Sequence, residues 1–189
     1  MDVNEAIRTR RTIAKFRPEP VPREELLAAL EAGVWAPNHH LTEPWRFVIL
    51  GPEAQRRLAD RHGELRMQKL PADAVEHRAR IRDDSRRMFL SVPVIVAVVA
   101  LQEGDEQRRK EDYAAVCCAA QNIQLAAWGR GIGAKWSTAA VTRDPLAYEM
   151  LDIDPLRYEV IGFLFLGYPA ETPVRERRRP LDEVIRRTE

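Results

Sequence analysis

The sequence predicts an α+β fold, an α/β sandwich built by a single domain over residues 1–189. Three stretches carry that prediction. Val92-Pro93-Val94-Ile95-Val96-Ala97-Val98-Val99 is a β-branched run opened by proline, the pattern of a strand buried on both faces. Glu111 to Gly129 reads as a long helix, apolar nearly all round through Ala114, Val116, Ala119, Ile123, Leu125 and Ala126, so both of its faces are expected to meet protein. Tyr158 to Leu166 reads as a final strand closed by Gly167-Tyr168-Pro169.

The remaining elements follow in chain order. Val3, Ala6 and Ile7 recur at helical spacing behind Asp2, a candidate N-cap, and this short helix runs into an arginine cluster. Pro22 and the acids Glu24 and Glu25 open a second helix through Leu26, Leu27 and Leu30, which stops near Gly33 and Pro37. Trp45 to Leu50 is a short β-rich run ended by Gly51-Pro52. Glu53 to Met88 reads as two surface helices broken near Gly63 or Pro71, Gly131 to Trp136 as a glycine-rich entry to a short strand, and Asp144 to Met150 as a helix. The tail from Ala170 is polar.

Composition excludes several function classes. Thirty Lys and Arg against 29 Asp and Glu give a net charge of +1, too little to draw the chain to nucleic acid or an anionic membrane. The cations are mostly arginine, the better fork for phosphate, and lysine occurs only at Lys15, Lys69, Lys110 and Lys135. Cys117 and Cys118 are adjacent in a helical run, diverge around it and form no ordinary disulfide. The apolar run Val92 to Leu101 is far short of the ~20 residues that span a bilayer, and the N-terminus lacks an apolar signal core, so a cytoplasmic protein is expected.

Four constellations carry chemistry. Arg8, Arg10, Arg11, Thr12 and Lys15 at a helix end suit a phosphate, against the alternative of a solvated basic turn. The loop Ala36 to Pro44, flanked by Trp35 and Trp45, is rigid and polar, with His39 and His40 too close in sequence to chelate one metal. Gly129 to Thr138 permits close backbone approach to a ligand, or is a plain helix C-cap; it is not a dinucleotide fingerprint, because it closes a helix and opens a strand. Arg175, Arg177, Arg178 and Arg179 form a basic tail, whose simplest reading is mobility.

Taken in order, these pieces resemble the nitroreductase family of FMN enzymes across essentially the whole chain. The matching motifs are Arg10-Arg11-Thr12 to Phe16, Ala36-Pro37 to Glu43-Pro44-Trp45, Gly131 to Trp136, Gly162 to Gly167, and Arg178-Arg179-Pro180-Leu181 to Glu183. The Ala-Pro-x-His form looks most like a small bacterial branch of candidate NAD(P)H nitroreductases. The resemblance implies a central, mostly antiparallel sheet flanked by helices, in a homodimer with a domain-swapped C-terminal tail. It also implies FMN at the subunit interface, with NAD(P)H as co-substrate. Arg10, Arg11, Thr12 and Arg178 would hold the phosphate and ribityl chain, with Arg179 the alternative to Arg178. Trp136, Ser137 and Thr138 would contact the flavin of the same subunit, and Trp35 and His39 that of the other; Ala126 to Gly131 falls in the nicotinamide nucleotide region.

By this likeness hydride enters at flavin N5 and leaves from the same face to a small acceptor such as a nitroaromatic or quinone, in a ping-pong cycle, with no catalytic side chain and no metal. Two departures stand out. Many relatives carry Arg or Lys where this chain has Ala14, so Lys15, Lys135 or His39 must balance the reduced flavin; and Leu41 and Glu43 replace the usual loop amides. The rivals are reductive dehalogenation or flavin destruction on the same fold, for which residues 64–87 are the only host segment, a non-enzymatic FMN carrier, and a plain interaction domain.

Overall fold

The computed structural model describes residues 1–174 and 178–188. Helix α1, Val3–Thr9, starts where Asp2 accepts a hydrogen bond from the Glu5 amide at 3.0 Å, and α2 is Arg23–Val34. Strand β1, Trp45–Ile49, leads to α3, Pro52–Met67, with proline at its first position, and then α4, Val75–Leu90. The break between α3 and α4 falls around Pro71, while Gly63 is buried inside α3 against Arg82 and Ser85 of α4. Strand β2, Val94–Leu101, is followed by α5, Glu106–Gly129, β3, Gly133–Ser137, α6, Pro145–Met150, and β4, Tyr158–Gly167.

Helix α5 begins five residues before the apolar pattern does. Asp105 caps it by accepting from the Arg108 amide at 2.9 Å, and the charged first turns carry an i,i+4 pair between Lys110 and Glu106 at 2.6 Å. Such a polar start is invisible to hydrophobic periodicity.

The sheet order is β1-β2-β4-β3, with every neighbour antiparallel. Strand β2 is central, and its side chains divide between two cores. Val96, Val98 and Ala100 join α2 and α5, whereas Ile95, Ala97 and Val99 join Leu58 and Ala59 of α3, Phe89 of α4 and Tyr148 of α6. Helices on both faces explain why the strand reads as continuous apolar sequence rather than alternation. Within the chain α5 buries one side only, through Ala115, Val116, Ala119, Ala120, Ile123 and Ala127; Tyr113, Ala114, Cys118 and Gln121 on the other side are exposed.

A bulge in β4 shapes the face of the sheet that carries Trp136. The register passes from Val98 opposite Gly162 to Val99 opposite Val160, so Ile161 has no partner in β2. Aromatic side chains take up the freed backbone groups: the Val160 amide donates to the Tyr148 hydroxyl at 2.9 Å, and the Trp136 indole donates to the Ile161 carbonyl at 3.4 Å. The indole lies where a Cβ at Gly162 would overlap it, so glycine at 162 is what seats Trp136.

Candidate functional site: an arginine cradle on the edge of the sheet

The segment after α1 is stitched along the free edge of β3. Thr12 bridges Ala134 in parallel, the Ile13 amide donates to the Ala134 carbonyl at 3.0 Å, and Ile13 is fully buried. Further along, the Arg17 amide donates to the Tyr168 carbonyl at 2.8 Å and the Ala170 amide to the Lys15 carbonyl at 3.0 Å. These bonds bring the chain leaving β4 back over the arginine cluster. Arg10, Arg11, Thr12, Pro173, Val174 and Arg178 then line a cavity of about 80 Å³. That is room for a compact anion, not for a planar ring system.

The electrostatics of this cavity point the same way. Burial lowers the affinity of the Arg10 guanidinium for its proton, and the charges of Arg11 and Arg178 lower it further. Arg11 donates through Nη1 to the carbonyls of Arg8 and Arg10 at 3.0 and 2.8 Å, which fixes its guanidinium beside its neighbours. No carboxylate is among the described lining residues. Three converging guanidinium groups and an exposed Thr12 hydroxyl form a site whose self-repulsion a phosphate dianion would relieve. The cradle therefore fits a phosphate-bearing cofactor.

Along β3 from the cradle stand Trp136, Ser137 and Thr138, the first half-buried on the sheet, the second buried and the third exposed at the strand's end. Lys135 projects to the opposite face, its ammonium 4.0 Å from Met88 Sδ and 5.6 Å from the centre of the Phe165 ring. Arg130, at the end of α5, pairs with Glu25 at 3.1 Å, and Gly131 takes φ 77° in the turn into β3, a left-handed value that glycine adopts without strain.

The loop Ala36 to Pro44 lies against α5 instead. His40, Leu41 and Glu43 hold φ of 55°, 54° and 43°, each costing about 1–2 kcal/mol for a residue with a side chain. Three contacts hold the loop in that shape. Asn38 Oδ1 accepts from the Glu43 amide at 3.0 Å, Thr42 Oγ1 donates to Asp112 Oδ1 at 2.6 Å, and His39 Nδ1 meets Glu111 Oε2 at 2.7 Å. The His39 contact, followed by a bond from Gln107, holds the Glu111 carboxyl below the ordinary glutamate range. Asp112 is buried, and its Oδ2 has no hydrogen-bond partner. Trp35, at the end of α2, is 79% exposed.

A family model described as "Nitroreductase family" matches residues 7–168. The chain belongs to the nitroreductase family. Among curated relatives of this nitroreductase-family chain, the Bacillus subtilis (strain 168) protein YfhC, named as a candidate NAD(P)H nitroreductase, is 32% identical over 95% of this chain and 90% of its own length. YdjA of Escherichia coli (strain K12), named in the same way, is 30% identical over 89% of each chain. Among solved structures, a nitroreductase-like protein from Bacillus cereus superposes with a TM-score of 0.86 at 29% identity, covering 100% of this chain and 97% of its own. A Desulfovibrio desulfuricans nitroreductase homologue, solved in complex with FMN, gives 0.77 at 26% identity, covering 100% and 98%. The expected antiparallel, helix-flanked sheet is thus the family fold.

Of the residues singled out in the sequence, Arg10, Arg11, Thr12 and Arg178 converge, and Trp136 to Thr138 follow Ala134, the β3 residue to which Thr12 is bridged. Trp35 and His39 join neither group through any described hydrogen bond, ion pair or ring contact within one chain. Arg175 and Arg177 lie outside the described residues. Sequence reasoning missed Pro173 and Val174, whose place over the cradle comes from the backbone bonds around Lys15 and Tyr168. It also missed Glu111 and Asp112, which read as ordinary helix polarity.

Proposed function

We propose that the chain is an FMN-dependent oxidoreductase that takes hydride from NAD(P)H and passes it to a small acceptor such as a nitroaromatic or quinone in a ping-pong cycle. The observation that carries this reading is the arginine cradle on the edge of β3, where Arg10, Arg11 and Arg178 bring like charge together around one cavity. The names of YfhC and YdjA and the FMN in the Desulfovibrio structure support it.

In this reading Arg10, Arg11, Thr12 and Arg178 hold the FMN phosphate, and Trp136, Ser137 and Thr138 flank the ring of the same subunit. The chemistry the group supplies when bound is hydride transfer at N5. The chain's own residues anchor the phosphate, fix the ring against β3, leave one ring face open to both substrates in turn, and supply donors and positive charge to the ring edge. Ala126 to Gly131 would serve the nicotinamide nucleotide.

We further propose a homodimer in which residues 1–189 form one FMN-binding domain per subunit, and Trp35 and His39 reach the flavin of the second subunit. The support is apolar surface left without cover: the outer side of α5 with Tyr113 and Cys118, the tail residues Val174, Leu181 and Val184, and Trp35 and Leu41 of the loop region. Among the described residues strand β1 pairs with β2 alone, which leaves an edge that a swapped C-terminal tail would close. Among the described residues no helix is long and apolar enough to cross a membrane, and we place the protein in the cytoplasm.

The test is the visible absorption spectrum of purified protein before and after anaerobic NADPH or NADH. Flavin bands that bleach with nucleotide and return with a quinone support the reading. A colourless protein that takes up no FMN refutes it.

A further inference from the structure

The loop between α2 and β1 is anchored at both ends and strained in the middle. Ala36 and Trp45 belong to the core shared with α2 and α5, and the Leu101 amide donates to the Pro44 carbonyl at 2.9 Å. Between these anchors His40, Leu41 and Glu43 hold left-handed φ, and none of the three is a glycine or an asparagine, the residues that take such values readily. Glu43 also precedes Pro44, whose ring pushes the residue before it toward extended backbone. Three such residues persist together only where their surroundings over-determine them.

Two neighbouring carboxylates of α5 do the fastening. Asp112 accepts from Thr42 Oγ1 at 2.6 Å, while Glu111 meets His39 Nδ1 at 2.7 Å and accepts from Gln107 Nε2 at 2.8 Å. His39 is exposed, so its contact contributes modestly and the weight falls on Asp112. Asp112 is 1% exposed, yet its Oδ2 has no hydrogen-bond partner. One helical turn earlier, Arg108 Nε stands 3.9 Å from that oxygen, and Arg108 forms no other ion pair among the described residues. Asp112 is thus offered two partners, a loop hydroxyl at bonding distance and a guanidinium just beyond it.

We infer that residues 37–43 are a two-state strap, latched when Asp112 accepts from Thr42 and released when Asp112 turns to Arg108. In the latched state the Thr42 bond offsets the left-handed backbone. On release Thr42 leaves α5, and His40, Leu41 and Glu43 return to ordinary backbone. Asp112 then exchanges a neutral donor for a charged one, so its carboxylate is not left bare, which keeps the cost of release small. The strap operates with or without a cofactor, and it governs whether the segment that carries His39 stays against α5.

The experiment is amide hydrogen exchange on the intact protein, read at the Thr42 and Glu43 amides, which donate to the His39 carbonyl and to Asn38 Oδ1 in the latched loop. Amides of α5 are the internal reference that separates strap release from global unfolding, and each rate is taken relative to the intrinsic rate of its sequence. In the parent, the Thr42 and Glu43 amides are expected to exchange well before those of α5. The Glu43 side chain forms no hydrogen bond or ion pair among the described residues, so substitutions there act through the backbone. Glu43→Gln, which removes only the charge, is expected to match the parent. Glu43→Asn is expected to slow exchange severalfold and the β-branched Glu43→Val to speed it severalfold, within the roughly 5- to 30-fold that one left-handed residue represents. Arg108→Met, at a half-exposed position, is expected to slow exchange about two- to fivefold, because the released carboxylate no longer finds a guanidinium. Thr42 and Glu43 amides that exchange in step with α5 in the parent, or that respond alike to Glu43→Asn and Glu43→Val, overturn the strap. Unchanged or faster exchange in Arg108→Met overturns the transfer of Asp112 between partners, and with it the second state.

Discussion

Replacing Arg10 by alanine separates the cradle's two roles, because holding phosphate and folding respond with opposite sign. Arg10 stands against Arg11 and Arg178 with burial and like charge both acting on it, so in the ligand-free chain it is a source of repulsion. Its hydrogen bonds to a phosphate dianion are charge-assisted and contribute about 1.5–3 kcal/mol. At 1.4 kcal/mol per factor of ten, Arg10→Ala weakens FMN roughly 10- to 150-fold. The ligand-free melting temperature of the variant is expected to equal or exceed that of the parent, since no described carboxylate in the cavity loses a partner. Flavin fluorescence quenching gives the affinity, and melts with and without FMN give the stabilisation by ligand, which falls with the affinity. Parent-like FMN affinity in the variant, or a ligand-free melt lowered by several degrees, would refute this account.

Three further outcomes follow from other contacts. Thr42→Val removes the 2.6 Å bond to Asp112 and leaves a buried carboxylate without its hydroxyl donor; it is expected to cost about 1–3 kcal/mol, at about 2–4 °C per kcal/mol for a chain of this size, in a calorimetric melt. The Asp144 carboxyl is depressed chiefly by its two bonds from Arg61, at 2.8 and 2.7 Å. That stability is therefore present above the ordinary Asp range and lost as pH falls through the lower folded value, so Asp144→Asn should destabilise by about 1.5–3 kcal/mol at pH 7 and by progressively less below about pH 4. Gly162→Ala forces a methyl into the Trp136 indole; a shifted tryptophan emission, about 1–3 kcal/mol of lost stability and weaker FMN binding are expected, and an unshifted spectrum with full binding would contradict the seating of Trp136 by the β4 bulge.

Much of the fold was legible because it rests on local signals. The proline and acids opening α2, the β-branched run of β2 and the Asp2 cap each act within a few residues, and each element formed where those signals lie. The arginine cradle was legible in part: Arg10 to Thr12 form a dense cluster, and Arg178 entered through the motif near the C-terminus. What escaped depends on contacts between distant segments. The backbone bonds of Lys15 and Tyr168 carry Pro173 and Val174 over the cradle, and no periodicity announces them. The left-handed backbone of His40, Leu41 and Glu43 contradicts their intrinsic preferences, and holds only because Asn38, Glu111 and Asp112 fasten the loop. That Lys135 and Trp136 face opposite sides of β3 follows from strand alternation, but what Lys135 meets there, Met88 and Phe165, appears only once α4 is packed beneath it.

The bridge between Thr12 and Ala134, with the bonds around Lys15 and Tyr168, sews both ends of the chain into one seam on the edge of the sheet. A protease that opens this seam frees the first helix and the C-terminal tail together, and an anion seated among the arginines shields the two ends together. Cleavage rates at the two ends should therefore rise and fall in step as ligand is removed or restored, so that gel bands from either end report the same closing equilibrium.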